Sequence, residues 1–225
     1  MRIKNKMNKK KLKIGLDYDD VIPDTIPSFV NFHNQRYGTR LRFEDIKSYW
    51  LWELGIGKDK PEAMRLFQEY YASPEFDEMP LVPGAQQGVL ELASLSDGCL
   101  EIVTSRPLMF RVKTIGLLRT RFPATPSTVH HSNDFHDGEG ASFSKATICQ
   151  ELGLDYFVED CLAYAETIAQ RRVNVLLLRK PWNERDWSRL RKLNGDNQNQ
   201  NNPQNHITPV ESWQELLEHI KGGYE

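Results

Sequence analysis

From Gly84 onward the sequence alternates helical stretches with short runs of apolar, β-rich residues, and this alternation limits the fold more than any other feature. Helical spacing at about 85–96 leads to Leu100-Glu-Ile-Val-Thr104, and a stretch from Pro107 to about Phe122 leads to Ser127–His131. A helix at about 144–152 leads to Tyr156-Phe-Val158, and one at about 162–171 leads to Val173–Leu178. Parallel strands need crossover helices, and those helices cover the sheet, so the pattern implies a parallel sheet buried on both faces. One further strand precedes the series, Leu12-Lys-Ile-Gly-Leu16, and it runs straight into the acidic cluster Asp17-Tyr-Asp-Asp20. Between them, Asp24 to about Tyr71 carries apolar residues at helical spacing: Phe29, Val30, Phe32 and His33, then Met64, Leu66, Phe67 and Tyr70. Met79-Pro-Leu-Val-Pro-Gly84 punctuates the end of that block. The expected architecture is α/β: a doubly wound parallel core over residues 1–23 and 81–225, with a small helical unit at 24–80 inserted after the first strand. Residues 194–205 hold nine Asn or Gln in twelve and predict a flexible loop before Ile207–Val210 and a last amphipathic helix, Trp213–Ile220.

Composition removes several function classes. At 39% hydrophobic and 27% charged residues the chain can build a core, yet no apolar run approaches the roughly 20 residues of a membrane span. The first thirteen residues hold seven basic side chains and no acid, which leaves 22 basic against 31 acidic side chains in the rest. A body that acidic is unsuited to gripping phosphate backbones over a broad face, so neither nucleic acid nor membrane is an expected partner. The basic start has no apolar segment behind it and does not read as a secretory signal. Cys99, Cys149 and Cys161 are odd in number and form no C-x-x-C pair. Reduced thiols and a cytoplasmic location are expected.

Ligands of doubly wound sheets bind beyond the carboxyl ends of the strands. Those ends deliver Asp17 and Asp19, then Thr104, Ser105 and Arg106, then Glu159 and Asp160. Asp17 and Asp19 are two apart, so an extended backbone aims both to one side. Ionised carboxylates in one cleft repel unless a cation lies between them, and all-oxygen donors suit Mg²⁺. Otherwise these acids are solvated turn residues or helix caps. Thr104-Ser-Arg-Pro107 places a strand end before a helix with Pro in its first turn, a site for an anion or simply a cap. Lys145 stands in the first turn of a helix capped by Ser142 or Ser144, where a cation opposes the macrodipole unless an anion offsets it. His130, His131 and His136 cluster without metal-ligand spacing or cysteine partners and read as a polar loop rather than a zinc site. Phe43, Tyr49, Trp50 and Trp52 are either core or aromatic walls for a flat substrate.

Leu16-Asp17-Tyr-Asp19-Asp-Val21 resembles the D-x-D-x-[VT] first motif of the haloacid dehalogenase (HAD) superfamily. Ile102-Val-Thr104-Ser-Arg-Pro107 resembles the second motif, Lys145 the third, and Phe157-Val-Glu159-Asp160 the fourth. The resemblance implies a HAD-like Rossmannoid sheet of order 3-2-1-4-5, with 24–80 as a helical C1 cap. It also implies a phosphoric monoester hydrolase in which Asp17 attacks phosphorus and Asp19 serves as acid and then base. Mg²⁺ would be held by Asp17, the Asp19 backbone carbonyl and Asp160, while Thr104, Ser105 and Lys145 would hold the phosphate and Glu159 would position Lys145. Met79–Ala85, the Thr-Ser-Arg-Pro run and Arg179-Lys-Pro-Trp-Asn183 are similar to the 5′(3′)-deoxyribonucleotidase-like branch. A nucleoside monophosphate is the substrate that branch implies, with Tyr49, Trp50, Trp52 and Arg106 as candidate contacts to it. That branch carries Asp-Asp-Arg at its fourth motif, where this chain has Glu159-Asp160-Cys161. The alternatives are a phosphatase of a sugar phosphate or another small metabolite, a hydrolytic dehalogenase, which does not need Asp19, and a receiver-like phospho-accepting module, which would need an acid where Thr104 stands.

Overall fold

The computed structural model describes residues 11–96, 99–125, 127–132, 143–195 and 206–224. The basic start to residue 10, His136, Ser142 and the Asn/Gln-rich run from residue 196 lie outside them. Six parallel strands form one sheet in the order β3-β2-β1-β4-β5-β6. They are β1 (Ile14–Leu16), β2 (Leu100–Thr104), β3 (Ser127–His131), β4 (Tyr156–Glu159), β5 (Asn174–Leu178) and β6 (Ile207–Val210). The expected five-strand order is present, and Ile207–Val210 extends it by pairing alongside β5.

Period-two alternation divides the core between the two faces of the sheet. Ile14, Leu16, Ile102, Val158, Leu176 and Leu178 share one cluster with helices α4 (Ala85–Leu95) and α9 (Trp213–Tyr224). Val103, Phe157, Val175 and Leu177 face the other way, onto α6 (Lys145–Leu152), α7 (Leu162–Ala169) and Leu190 of α8 (Trp187–Gly195). Helix α5 (Arg111–Arg121) links β2 to β3. The α4–α9 contact is close: a Cβ on Gly88 would stand 2.1 Å from the Trp213 ring, so only glycine lets that indole lie against the helix. Trp213 Nε1 also donates to Val21 O at 2.9 Å, tying the last helix to the loop after β1.

The segment at 24–80 is helical, but not continuously. It holds α1 (Thr25–Tyr37), α2 (Lys60–Tyr71) and the short α3 (Pro74–Asp77), with two single turns of 3₁₀-helix at Phe43–Asp45 and Leu51–Leu54. Helical spacing alone predicts one block, and the breaks come from local chemistry. Gly38 ends α1 in the left-handed region (φ 66°), Gly55 and Gly57 do the same after Leu54 (φ 74° and 80°), and Asp59 restarts the chain by capping α2 through Glu62 N. The chain leaves and re-enters the sheet through paired connectors: Val82 N donates to Ile22 O at 2.9 Å, and Asp24 N to Pro80 O at 2.8 Å. Among the described residues no helix is long and apolar enough to cross a membrane.

Candidate active site

The strand ends expected to carry chemistry converge. Asp17 N donates to Val158 O at 2.8 Å, which continues the β1–β4 pairing one step beyond the strand and brings the Asp17 carboxylate to the end of β4. Lys145 Nζ lies 2.9 Å from Asp17 Oδ2 and 3.1 Å from Glu159 Oε2, with the Tyr164 ring centre 4.5 Å away. Lys145 opens α6, and Ser144 caps that helix by accepting from Thr147 N at 3.1 Å. Burial alone would disfavour the charged amine, but the two carboxylates outweigh it and hold Lys145 well above the ordinary lysine range.

Negative charge remains in excess around this lysine. Burial raises the Asp17 carboxyl well above its usual range despite Lys145, with Glu159 and Asp19 pushing the same way. Burial, then Glu159, Asp17 and Asp20, raise Asp160 likewise. Carboxylate oxygens of Asp17, Glu159 and Asp160 lie within 4.8 Å of one another, all buried. Glu159 already has both oxygens engaged, Oε2 by Lys145 and Oε1 by the backbone N–H groups of Asp160 and Cys161, each at 3.1 Å. Asp160 differs, because its Oδ2 accepts from Trp182 Nε1 at 3.0 Å while its buried Oδ1 has no hydrogen-bond partner. An oxygen-only set with such an orphaned carboxylate oxygen fits a hard divalent cation such as Mg²⁺.

Asp19 stands apart from that cluster. Its Oδ2 accepts from Arg106 Nε at 2.8 Å, and its Oδ1 accepts from Arg106 Nη2 at 2.5 Å and from Thr25 Oγ1 at 2.7 Å. Arg106, expected among the substrate contacts, is only 1% exposed. Its guanidinium lies 4.2 Å from the Tyr18 ring centre and 4.6 Å from that of Phe76. Burial opposes the charge of Arg106, yet Asp19 and the neighbouring tyrosines keep its pKa raised. Thr104 Oγ1 accepts from Arg106 N at 3.2 Å, and Ser105, Arg106, Asp19 and Asp160 are among the residues that line a cleft. Tyr49, Tyr71 and Trp182 line the same cleft, with the Tyr71 ring centre 5.4 Å from the Arg106 guanidinium.

The aromatic candidates separate. Tyr49 reaches the cleft and meets Tyr164 edge-on at 6.0 Å. Trp50 and Trp52 lie against each other at 5.2 Å and are not among the residues lining that cleft, and Trp52 packs on the core. His130 pairs with Glu101 at 2.7 Å and His131 Nδ1 meets Arg106 O at 2.9 Å, both away from the carboxylate cluster. Burial pushes the Cys161 thiol up, away from reactivity. Sequence reasoning assigned no role to Trp182 and Asn183, which clasp Asp160 from the loop after β5. The signal was the unusual Pro-Trp-Asn run at a strand end, beside the fourth motif in the expected strand order.

A parallel sheet of this order, with carboxylates, hydroxyls and a buried lysine gathered in one strand-end crevice, is the arrangement of haloacid dehalogenase-like phosphatases, and the enzyme is a phosphoric monoester hydrolase of that class. Solved structures agree on the fold. One is the "haloacid dehalogenase-like family protein SP0104" of Streptococcus pneumoniae, with a TM-score of 0.58, 14% identity, and 93% of this chain and 98% of that one covered. Another is the "putative HAD-hydrolase YfnB" of Bacillus subtilis, solved with magnesium, with a TM-score of 0.55, 16% identity and coverage of 94% and 100%. The family described as "5′ nucleotidase, deoxy (Pyrimidine), cytosolic type C protein" matches residues 10–131, more than half of the chain, and the chain belongs to that family. It is also 24% identical over 176 residues to the "Putative nucleotidase OB0422" of Oceanobacillus iheyensis, covering 76% of this chain and 89% of that one.

Proposed function

We propose that the enzyme is a Mg²⁺-dependent nucleotidase that cleaves the phosphate of a deoxyribonucleoside monophosphate through an aspartyl-phosphate on Asp17. The observation that carries this reading is the Asp17 carboxylate at the end of β1, ion-paired to buried Lys145 beside an unsatisfied oxygen of Asp160. Asp17 attacks phosphorus as its ester P–O bond breaks, and the departing alkoxide takes a proton from Asp19. Water then attacks the same phosphorus and gives its proton back to Asp19, which releases inorganic phosphate and restores Asp17. In both steps Asp19 must loosen part of its pairing with Arg106 and Thr25. Thr104, Ser105 and Lys145 hold the phosphoryl oxygens and stabilise their charge in the transition state. Asp17, the Asp19 backbone carbonyl and Asp160 are the Mg²⁺ ligands in this reading, and the ion supplies charge neutralisation at the phosphoryl group. Glu159 acts by holding Lys145.

Residues 24–80 are the cap in this account, hinged on the paired connectors, and 1–23 with 81–225 are the catalytic core. Base contact falls to Tyr49, since Trp50 and Trp52 cover each other. The free thiols of Cys99, Cys149 and Cys161 support a cytoplasmic location. The test is hydrolysis of a panel of nucleoside and sugar monophosphates with Mg²⁺ or with chelator. Preference for a deoxyribonucleotide, loss of turnover on chelation, and an inactive but folded Asp17→Asn variant are expected. Equal rates on sugar phosphates would move the substrate to that class, and full activity of Asp17→Asn would refute the mechanism.

A further inference from the structure

We propose that Trp182 is a positioning residue for Asp160: its indole N–H commits one carboxylate oxygen, so that the other is left for the cation. The inference rests on the Mg²⁺ reading above. Trp182 Nε1 donates to Asp160 Oδ2 at 3.0 Å and to the Asp160 backbone carbonyl at 3.1 Å, across 22 residues of sequence. The loop that presents it is held in turn. Asn183 Nδ2 donates to Asp160 O and Leu178 O, both at 2.8 Å, and Asn183 Oδ1 accepts from Lys180 N at 3.0 Å. Phe43, in the helical segment, meets the Trp182 ring edge-on at 6.0 Å, and the indole is 9% exposed. The ring is held by burial, by its edge-on contact with Phe43 and by its hydrogen bonds to Asp160.

A free carboxylate can rotate and offer either oxygen. Here the N–H takes Oδ2, and Oδ1 remains buried with no donor. Leaving a buried carboxylate oxygen unsatisfied is costly, and the cost is removed when a cation takes that oxygen. Hydrogen bonds that orient a ligand in this way are typically worth about 10–100-fold in metal affinity.

Trp182→Phe keeps an aromatic ring against Phe43 and deletes the donor. Replacing the Trp182 indole by benzothiophene keeps the bicyclic shape as well, and decides the matter if the phenylalanine variant does not fold. Binding of Mn²⁺ to the full-length, metal-free protein, followed through the electron paramagnetic resonance of the free ion, is expected to weaken by about 10–100-fold in both variants. Activation of phosphomonoester hydrolysis should shift to correspondingly higher Mg²⁺, with kcat at saturating Mg²⁺ near that of the wild type. The melting temperature of the metal-free variants falls because Asp160 Oδ2 loses its donor, so metal affinity is the deciding readout. A purely structural role would lower the melting temperature and leave the Mn²⁺ affinity of the folded protein alone. Wild-type affinity in a folded variant overturns the inference while the Mg²⁺ reading stands. Failure of the wild type itself to bind Mn²⁺ overturns both.

Discussion

Lys145 shows how far single residues could be read before any coordinates. Its place in a helix first turn, where a cation is unfavourable, already called for an anion nearby, and the structure supplies Asp17 and Glu159. Removing it leaves two buried carboxylates without a counter-charge. Lys145→Met is expected to cost about 3–5 kcal/mol of stability in urea unfolding of the metal-free protein. A cost near zero would mean that the carboxylates are solvated and the cluster is not a dry site. Arg106 was harder to read. The sequence places an arginine at a strand end but does not say which anion it meets, and its partner Asp19 lies 87 residues earlier. A guanidinium among the rings of Tyr18 and Phe76 cannot be foreseen from spacing, because two of the three elements involved are joined only by tertiary packing. The Pro-Trp-Asn run marks Trp182 at a strand end, but that its indole meets Asp160, 22 residues earlier, is fixed by tertiary packing.

At the scale of elements, β2 was legible from its buried Leu100, Ile102 and Val103, whereas β3, an edge strand of Ser-Thr-Val-His-His that buries only Val129, was legible from the helix–strand alternation and not from apolar character. The helical segment was over-read. Period 3.6 recurs in α1 and α2, but Gly38, Gly55 and Gly57 break the stretch between them, and hydrophobic spacing does not register a left-handed glycine. Helix α8 was not expected at all, because WSRLRKLNG offers only a thin apolar stripe. The packing of α4 on α9 gives a sharp test of the fold. Gly88→Ala would drive a methyl into the Trp213 ring, which would have to shift together with its hydrogen bond to Val21. A loss of about 1–3 kcal/mol is expected, read as a lower denaturant midpoint at unchanged m-value. An unchanged midpoint would contradict the close α4–α9 approach.

Across the whole molecule, buried histidines and buried carboxyls act on the pH dependence of stability with opposite sign. Burial lowers the pKa of His33, of His131 and of His219 below the ordinary 6.5. At these three sites the folded protein binds fewer protons than the unfolded chain below about pH 6.5, so their contribution is lost as pH falls, whereas burial raises the carboxyls of Asp17, Asp20 and Asp160, whose contribution runs the other way. The difference in urea midpoint between the wild type and His33→Gln isolates the histidine contribution: between about pH 7.5 and the mildly acidic range the wild type should lose more, or gain less, stability than the variant. An identical pH dependence in the variant would show that His33 is not the buried neutral ring described. The larger claim is that this molecule folds so as to bring Asp17 to a phosphoryl group. It is tested most directly by acid-quenching the enzyme during turnover of a deoxyribonucleoside monophosphate with Mg²⁺ and locating any covalent phosphate by peptide mass spectrometry. The account predicts a phosphorylated peptide containing Asp17, absent from Asp17→Asn and from chelator-treated enzyme. Sustained turnover with no phosphoryl group on that peptide, or with the group on another residue, would contradict it.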